Sequence, residues 1–321
     1  MKRLALACVL AGCTSFEDPD IVVDLRVLAM TAEHPEQVVE VDLSRPPQPS
    51  ELLAQLVPTR VCALVADPAR DRRVRWQMTV CLADRSRCDE ELFTPIGGGI
   101  ADDPETSVTA PEMCATVEPN GNLLGILVAT AEGDALAALG GIDYYVQLTA
   151  RGEDEPAAAD QFATKTLRVS PKIPTIRTPN QNPTVERFDV TLDGYEPAPM
   201  PLGRCAEQTS PLEVAPGTRI KIEPVELPTT RETYVVPTLD GKVAMFMESP
   251  TYQWVADAGG FSRGNSGGTR DAVGNLPELF TEWRAPAARD VSEPTDVRLW
   301  FIARDERLGA TWYESCVRVV P

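Results

Sequence analysis

Histidine is almost missing from this 321-residue chain: His34 is the single example. No Cys-x-x-Cys pair occurs either, so the usual nitrogen and sulfur ligand sets for zinc have no carrier. Lysine is scarce, at Lys2, Lys165, Lys172, Lys221 and Lys242 among 30 basic residues, and 48 acidic residues bring the net charge to −18. Nucleic acid must be met with Lys and Arg, so this balance argues against a nucleic-acid partner and against an anionic bilayer surface. Long Ala/Leu/Glu/Lys periodic runs are lacking, and no window after the first residues approaches the ~20 apolar residues of a membrane span. What the chain has instead is 29 Pro and 21 Gly, the punctuation of many short strands joined by turns.

The N-terminus is the most specific stretch. Lys2 and Arg3 precede an apolar run from Leu4 to Ala11, and Leu10-Ala11-Gly12-Cys13 closes it. A charged start, a short apolar run and small residues form the layout of a secretory signal. The ending resembles the lipobox of bacterial lipoproteins. That resemblance implies cleavage before Cys13, acylation of its thiol and new amino group, and a membrane partner reached through that lipid. Thr14 rather than Asp follows the cysteine, which by resemblance to lipoprotein sorting favours the outer membrane. Loss of Lys2 and Arg3 takes the mature charge from −18 to −20. Residues 1–12 are read as signal peptide and 13–20 as a lipidated tether.

Cys8 lies in the signal and Cys13 at the lipid, which leaves Cys62, Cys81, Cys88, Cys114, Cys205 and Cys316. An even number in an exported chain reads as disulfides. The four in the first half allow three pairings. Cys81–Cys88 across a polar turn and Cys62–Cys114 are favoured, and separate halves would leave Cys205–Cys316 by elimination.

The chain repeats itself. Arg26 to Pro35 matches Arg187 to Pro197 as an alternating strand closing in an acidic turn and a proline. Val74-Arg75-Trp76-Gln77 matches Thr251 to Val255 around a Trp, and Tyr145 to Asp154 matches Val297 to Glu306 around a shared Ala-Arg. Lys165 to Pro171 and Ser315 to Pro321 close the two sets. The ordered set predicts an all-β chain of two tandem antiparallel sandwiches, each with a Trp filling the space between its sheets. The pattern resembles immunoglobulin-like and fibronectin-type domains, without a cysteine in the sixth strand near Tyr145 to Ala150. The expected limits are 21–170 for the first sandwich, 171–183 for a stiff Pro-rich linker with polyproline character, and 184–321 for the second. Arg85–Pro119 is read as a loop insertion whose Gly97-Gly98-Gly99 is a turn, Glu132–Leu139 as a helical turn, and Asp257–Asn275 as a long mobile loop.

Gly264-Asn265-Ser266-Gly267-Gly268 resembles the nucleophile loop of chymotrypsin-like serine proteases with Asn265 in place of Asp, and Thr31-Ala32-Glu33-His34 resembles their histidine motif. Such chemistry needs a base within reach of the serine and a buried acid behind it. His34 lies too early in the chain, on the other half. Asp102-Asp103, Glu153-Asp154-Glu155 and Asp305-Glu306 are carboxylate pairs near strand ends, without a full calcium loop and too common for their spacing to indicate a glycosidase. The expectation is a lipid-anchored envelope protein without catalytic, cofactor or metal residues. Its role would be a binding or structural module with an envelope-protein or glycan partner, contacted through Asp257–Asn275 or Arg85–Pro119. The alternatives are a carbohydrate-binding or adhesion lipoprotein, assisted by Ca²⁺, and a hydrolase of unrecognised type.

Overall fold

The structure is a computed structural model that describes residues 18–42, 48–68, 72–82, 88, 93–102, 113–133, 140–238 and 240–321. The lipobox, Cys13 and Asp103 lie outside them. The chain is all-β, and its two halves have the same immunoglobulin-like wiring. In the first half, β1 (Arg26–Ala32), β3 (Thr59–Ala66) and β6 (Met113–Val117) make one sheet in the order β1-β3-β6. Its partner sheet runs β2-β8-β7-β4-β5, from β2 (Glu36–Val39), β4 (Val74–Leu82), β5 (Phe93–Ala101), β7 (Ile142–Gly152) and β8 (Gln161–Pro171).

The second half repeats this plan. Strands β9 (Val185–Leu192), β10 (Ala198–Pro199), β12 (Arg219–Glu226), β16 (Gly260–Phe261) and β18 (Thr281–Arg284) form the sheet β10-β9-β12-β18-β16. Facing it is β11-β20-β19-β15-β17, from β11 (Leu212–Val214), β15 (Thr251–Ala256), β17 (Asn265–Gly267), β19 (Thr295–Arg304) and β20 (Ala310–Val319). In both halves a short strand lies parallel to the closing strand, β2 on β8 and β11 on β20. The matched sequence segments occupy equivalent strands: β1 and β9, β4 and β15, β7 and β19, β8 and β20. Among the described residues the first half has no counterpart of β10, of β16 or of the two-stranded hairpin β13 (Thr233–Pro237) and β14 (Val243–Met247) between β12 and β15.

Each sandwich has its own core. In the second, Trp254 is fully buried among Phe188 and Phe301, with ring centroids 5.9 and 5.4 Å away. In the first, the space between the sheets is filled by Met78, Tyr144 and Leu148. Trp76 is only partly buried at the rim of that core, so the expectation of one central Trp per sandwich holds for the second alone. The disulfides are Cys62–Cys114, Cys81–Cys88 and Cys205–Cys316. Cys62 stands opposite Cys114 in the β3–β6 register, so this bridge lies within one sheet rather than between two.

Two local expectations are corrected, and a third, the helical turn at Glu132–Leu139, falls mostly outside the described residues. Gly97-Gly98-Gly99 is part of β5, paired with Trp76, Gln77 and Met78. A Cβ at Gly97 would lie 2.7 Å from the Ala115 Cβ, so close packing of β6 explains that glycine. A helix that the sequence reading did not give, α2, Gly121–Gly133, follows the five-residue α1 (Pro49–Leu53). The Asn120 side-chain carbonyl accepts from the Asn122 and Leu123 amides and starts α2, while Leu123, Ile126 and Leu127 seat it on the core; residues 134–139 lie outside the described ones. Asp257–Asn275 contains β16 and β17, both hydrogen-bonded into sheets.

The two sandwiches are fused face to face. Leu28, Ala29, Leu64 and Ala66 on the outer side of β1 and β3 pack with Val255, Trp300 and Ile302 on the outer side of β15 and β19. Strand β19 is therefore buried on both faces: Val297, Leu299, Phe301 and Ala303 enter their own core while Trp300 and Ile302 enter the inter-sandwich cluster. Polar contacts run the length of the seam. The Thr31 hydroxyl donates to the Ala310 carbonyl (2.5 Å), Arg304 Nη2 to the Leu28 carbonyl (3.0 Å) and Arg298 Nη1 to the Asp67 carbonyl (3.3 Å). Ile302 lies within this seam, so Ile302→Ala is expected to cost about 2–5 kcal/mol. Denaturant unfolding followed at both ends of the chain should show both sandwiches losing stability together, and loss confined to the second would contradict the fused arrangement.

Candidate functional site: the junction and the hairpin it carries

The linker is pinned to both sandwiches rather than acting as a spacer. Its anchor is Glu36 at the start of β2, a buried carboxylate. Glu36 Oε1 accepts from the Ser170 hydroxyl (2.5 Å) and Arg177 Nη2 (2.7 Å), and Oε2 from the Asn180 amide (3.0 Å) and Arg307 Nη2 (2.8 Å). These four donors come from β8, the linker and the β19–β20 turn. Burial alone would push this carboxyl up, but the Ser170 hydroxyl and the Arg177 and Arg307 guanidiniums outweigh it and hold it below the ordinary carboxylate range. Nearby, Asn182 donates to the Ala32 carbonyl (2.7 Å) and accepts from the Ala310 amide (3.0 Å), clasping β1 to β20.

Arg307 carries the network to the hairpin base. Its Nη1 lies 3.4 Å from Glu248 Oε1 and 3.7 Å from Glu232 Oε2, and its guanidinium sits 4.7 Å from the centre of the Tyr234 ring. The Tyr234 hydroxyl donates to Glu306 (2.9 Å). Glu248 and Glu232 close the hairpin: the Glu248 amide donates to the Glu232 carbonyl, and the Glu232 amide to Glu248 Oε2. Burial, then the neighbouring negative charge of Asp305, pushes the Glu248 carboxyl up to about 7. Asp305 Oδ1 accepts from the Arg307 and Gly309 amides, which shapes the β19–β20 turn.

The hairpin has the opposite character. Val243, Met245, Phe246 and Met247 are 43, 71, 48 and 64 % exposed, with Val236 across from them at 39 %. A cluster of this kind on one small element is unusual for a free surface. Phe246 stacks on Tyr234 at 5.6 Å, and the turn is closed by hydrogen bonds between Thr238 and Lys242, with Gly241 at φ +77.

Two concave features accompany it. On the outer face of the first sandwich a groove of about 610 Å³ is lined by Arg75, Gln77, Gly98, Thr149, Arg151 and Asp160. Arg151 Nη1 donates to Asp160 (2.5 Å), whereas Arg151 Nε is buried without a partner. Between the sandwiches a cleft of about 390 Å³ includes Lys165. Burial pushes that amine down to about 8, and it donates to the Leu308 carbonyl.

The residues singled out in the sequence are not assembled into a site. The Ser266 hydroxyl accepts from Trp254 Nε1 (2.9 Å) and donates to the Leu279 carbonyl (2.6 Å), so it is a buried structural group on β17. His34 belongs to the β1–β2 turn of the other sandwich. Glu153 pairs with Arg73 (2.5 Å) and Glu155 with Arg72 (2.7 Å), and Asp305 and Glu306 serve the junction. Sequence reading missed the junction and the hairpin. The Leu299 to Ala303 run, apolar at every position, was the sign of a strand covered on both faces. Asp240-Gly241 before the uncharged Val243 to Met247 was the sign of the hairpin.

No family model and no curated protein matches the chain. Among solved structures, a collagen adhesin from S. aureus aligns over 92 % of this chain and 93 % of its own, at 8 % identity and a TM-score of 0.15. That likeness is too slight to carry any argument.

A carboxyl held above its ordinary value binds its proton more tightly in the folded state, so its contribution is full below the unfolded value and is lost as the pH rises through about 7. Glu248→Gln should therefore gain stability over the native chain progressively between pH 5 and 8. Thermal melts across that range test this, and a constant difference would contradict it.

Proposed function

We propose that this chain is a lipid-anchored cell-envelope protein acting as a non-catalytic binding or structural module, with the β13–β14 hairpin as its contact surface. The observation that carries this is the exposed apolar hairpin set on a fixed base. Its position supports the reading. Strand β15 starts at Thr251, opposite Arg304, and ends at Ala256, opposite Leu299. The Ala256 amide donates to the Asp20 carbonyl, so the tether leaves at that end, while the hairpin base and the junction lie at the other, about 17 Å away at ~3.3 Å per residue. From Cys13 to Asp18 the chain can reach at most ~18 Å. A lipid on Cys13 would hold the tether end near a bilayer and leave the hairpin on the far side. The commitment of Ser266 to Trp254 and Leu279 supports a non-catalytic role.

A second reading, a glycan-binding or adhesion lipoprotein, is favoured by the groove, where Gln77, Thr149, Arg151 and Asp160 offer both donors and acceptors beside an edge bare at Gly98.

The test is a photo-crosslinking residue placed at Met247 and, as a control, at Val273, which is 82 % exposed on a loop. In whole cells, Met247 should give one recurrent membrane-associated product that Val273 does not. Equal, scattered labelling from both positions would overturn the hairpin as contact surface. Retention of the protein in the soluble fraction, with or without Cys13→Ser, would overturn the anchor.

A further inference from the structure

We propose that the cleft between the two sandwiches binds a small oxyanion, a phosphate or a short carboxylate, held between the Lys165 ammonium and the Arg304 guanidinium. This site is separate from the hairpin and does not depend on its role. Lys165 lies on β8 of the first sandwich, opposite Val146, and is 6 % exposed. Arg304 ends β19 of the second, opposite Thr251 and Ala310. Both line the cleft of about 390 Å³, whose walls come from β1, β8 and the β19–β20 turn.

What sets this pair apart is its bonding. Among the described residues neither side chain forms an ion pair: Lys165 donates to the Leu308 carbonyl, and Arg304 to Gln253 Oε1 (2.6 Å) and the Leu28 carbonyl (3.0 Å). Other well-enclosed guanidiniums are matched, Arg177 and Arg307 with Glu36 and Arg298 with Asp257. Burying a charge is costly unless it is paired, and here two like charges are enclosed within reach of each other's field. Burial pushes the Lys165 amine down to about 8, the Arg304 charge adds to this, and burial also holds Arg304 below its ordinary value. Asp305, which opposes the shift at Lys165, and the exposed Glu306 line the same cleft, but both are engaged. Asp305 Oδ1 accepts from the Arg307 and Gly309 amides and its Oδ2 from Asn180, while Glu306 Oε1 accepts from the Tyr234 hydroxyl. An ammonium has three N–H donors and a guanidinium five; the bonds above use one and two, so donors remain on both. The guanidinium fork suits the paired oxygens of a phosphate or carboxylate, and such a group in contact with both cations would neutralise them. Beside them stands Leu308, the one non-glycine among the described residues with a positive φ, +92. A leucine is held there only by its surroundings, and residues so held gather at ligand sites.

The test is a titration of the purified full chain with inorganic phosphate and, separately, with succinate, each against sodium chloride of equal ionic strength. The walls of the cleft come from both sandwiches, so a bound oxyanion should raise the melting temperature saturably, where sodium chloride does not. With isotope-labelled lysine, the titration midpoint of the Lys165 signal should move from about 8 towards the ordinary lysine value, with Lys172, Lys221 and Lys242 unmoved. Lys165→Met should weaken the apparent affinity by about tenfold or more, the loss of one charge-assisted hydrogen bond. A response to phosphate alone, or to succinate alone, identifies which oxyanion the cleft takes. A rise kept in full by Lys165→Met would overturn the site, and so would a Lys165 midpoint that neither anion moves beyond the sodium chloride control.

Discussion

Strand β19 is buried on both of its faces, and the rest of the molecule is arranged to make that possible. A strand in an ordinary sandwich has one face in the core and one in water. Here Trp300 and Ile302 would be stranded in water if the two sandwiches stood apart. The sheets therefore stack as four layers, with the outer side of β1 and β3 covering the outer side of β15 and β19. This turns two repeats that could each fold around a private core into one body.

Fusing the repeats fixes their angle, and the junction fixes it twice. The apolar cluster covers the middle of the seam, while Glu36 gathers donors from β8, the linker and the β19–β20 turn at one end. A buried carboxylate costs free energy unless its partners are complete; all four donors are present. Arg307 is the shared member, holding Glu36 with one nitrogen and facing Glu248 with the other. The hairpin base therefore belongs to the same network as the inter-sandwich contact. An apolar hairpin standing on a rigid, charged base presents its side chains without the ordering cost a floppy loop would pay on binding.

The sequence was legible wherever the signal was local or repeated. Period-2 alternation and the ordered matches, ending in Lys165 to Pro171 and Ser315 to Pro321, located equivalent strands in the two halves. Cysteine spacing pointed to the three bridges. Failures came where glycine stood for a turn or a mobile loop by default: Gly97 is bare because Ala115 presses on β5, and Gly264 to Gly268 contain strand β17, whose Ser266 caps a buried indole. Contacts between the halves left almost no local trace. Glu36, Asn180 and Arg307 are ordinary polar residues until the fold brings 271 residues of separation to 2.8 Å, and only the unbroken Leu299 to Ala303 run hinted that a second surface covers β19.

Scanning calorimetry of the full chain, with spectroscopic probes in each half, is the most direct test of that fusion. One body predicts a single transition with equal calorimetric and van't Hoff enthalpies and both halves melting at one temperature. Two separable transitions, or a first sandwich whose melting is unmoved by Ile302→Ala, would contradict it.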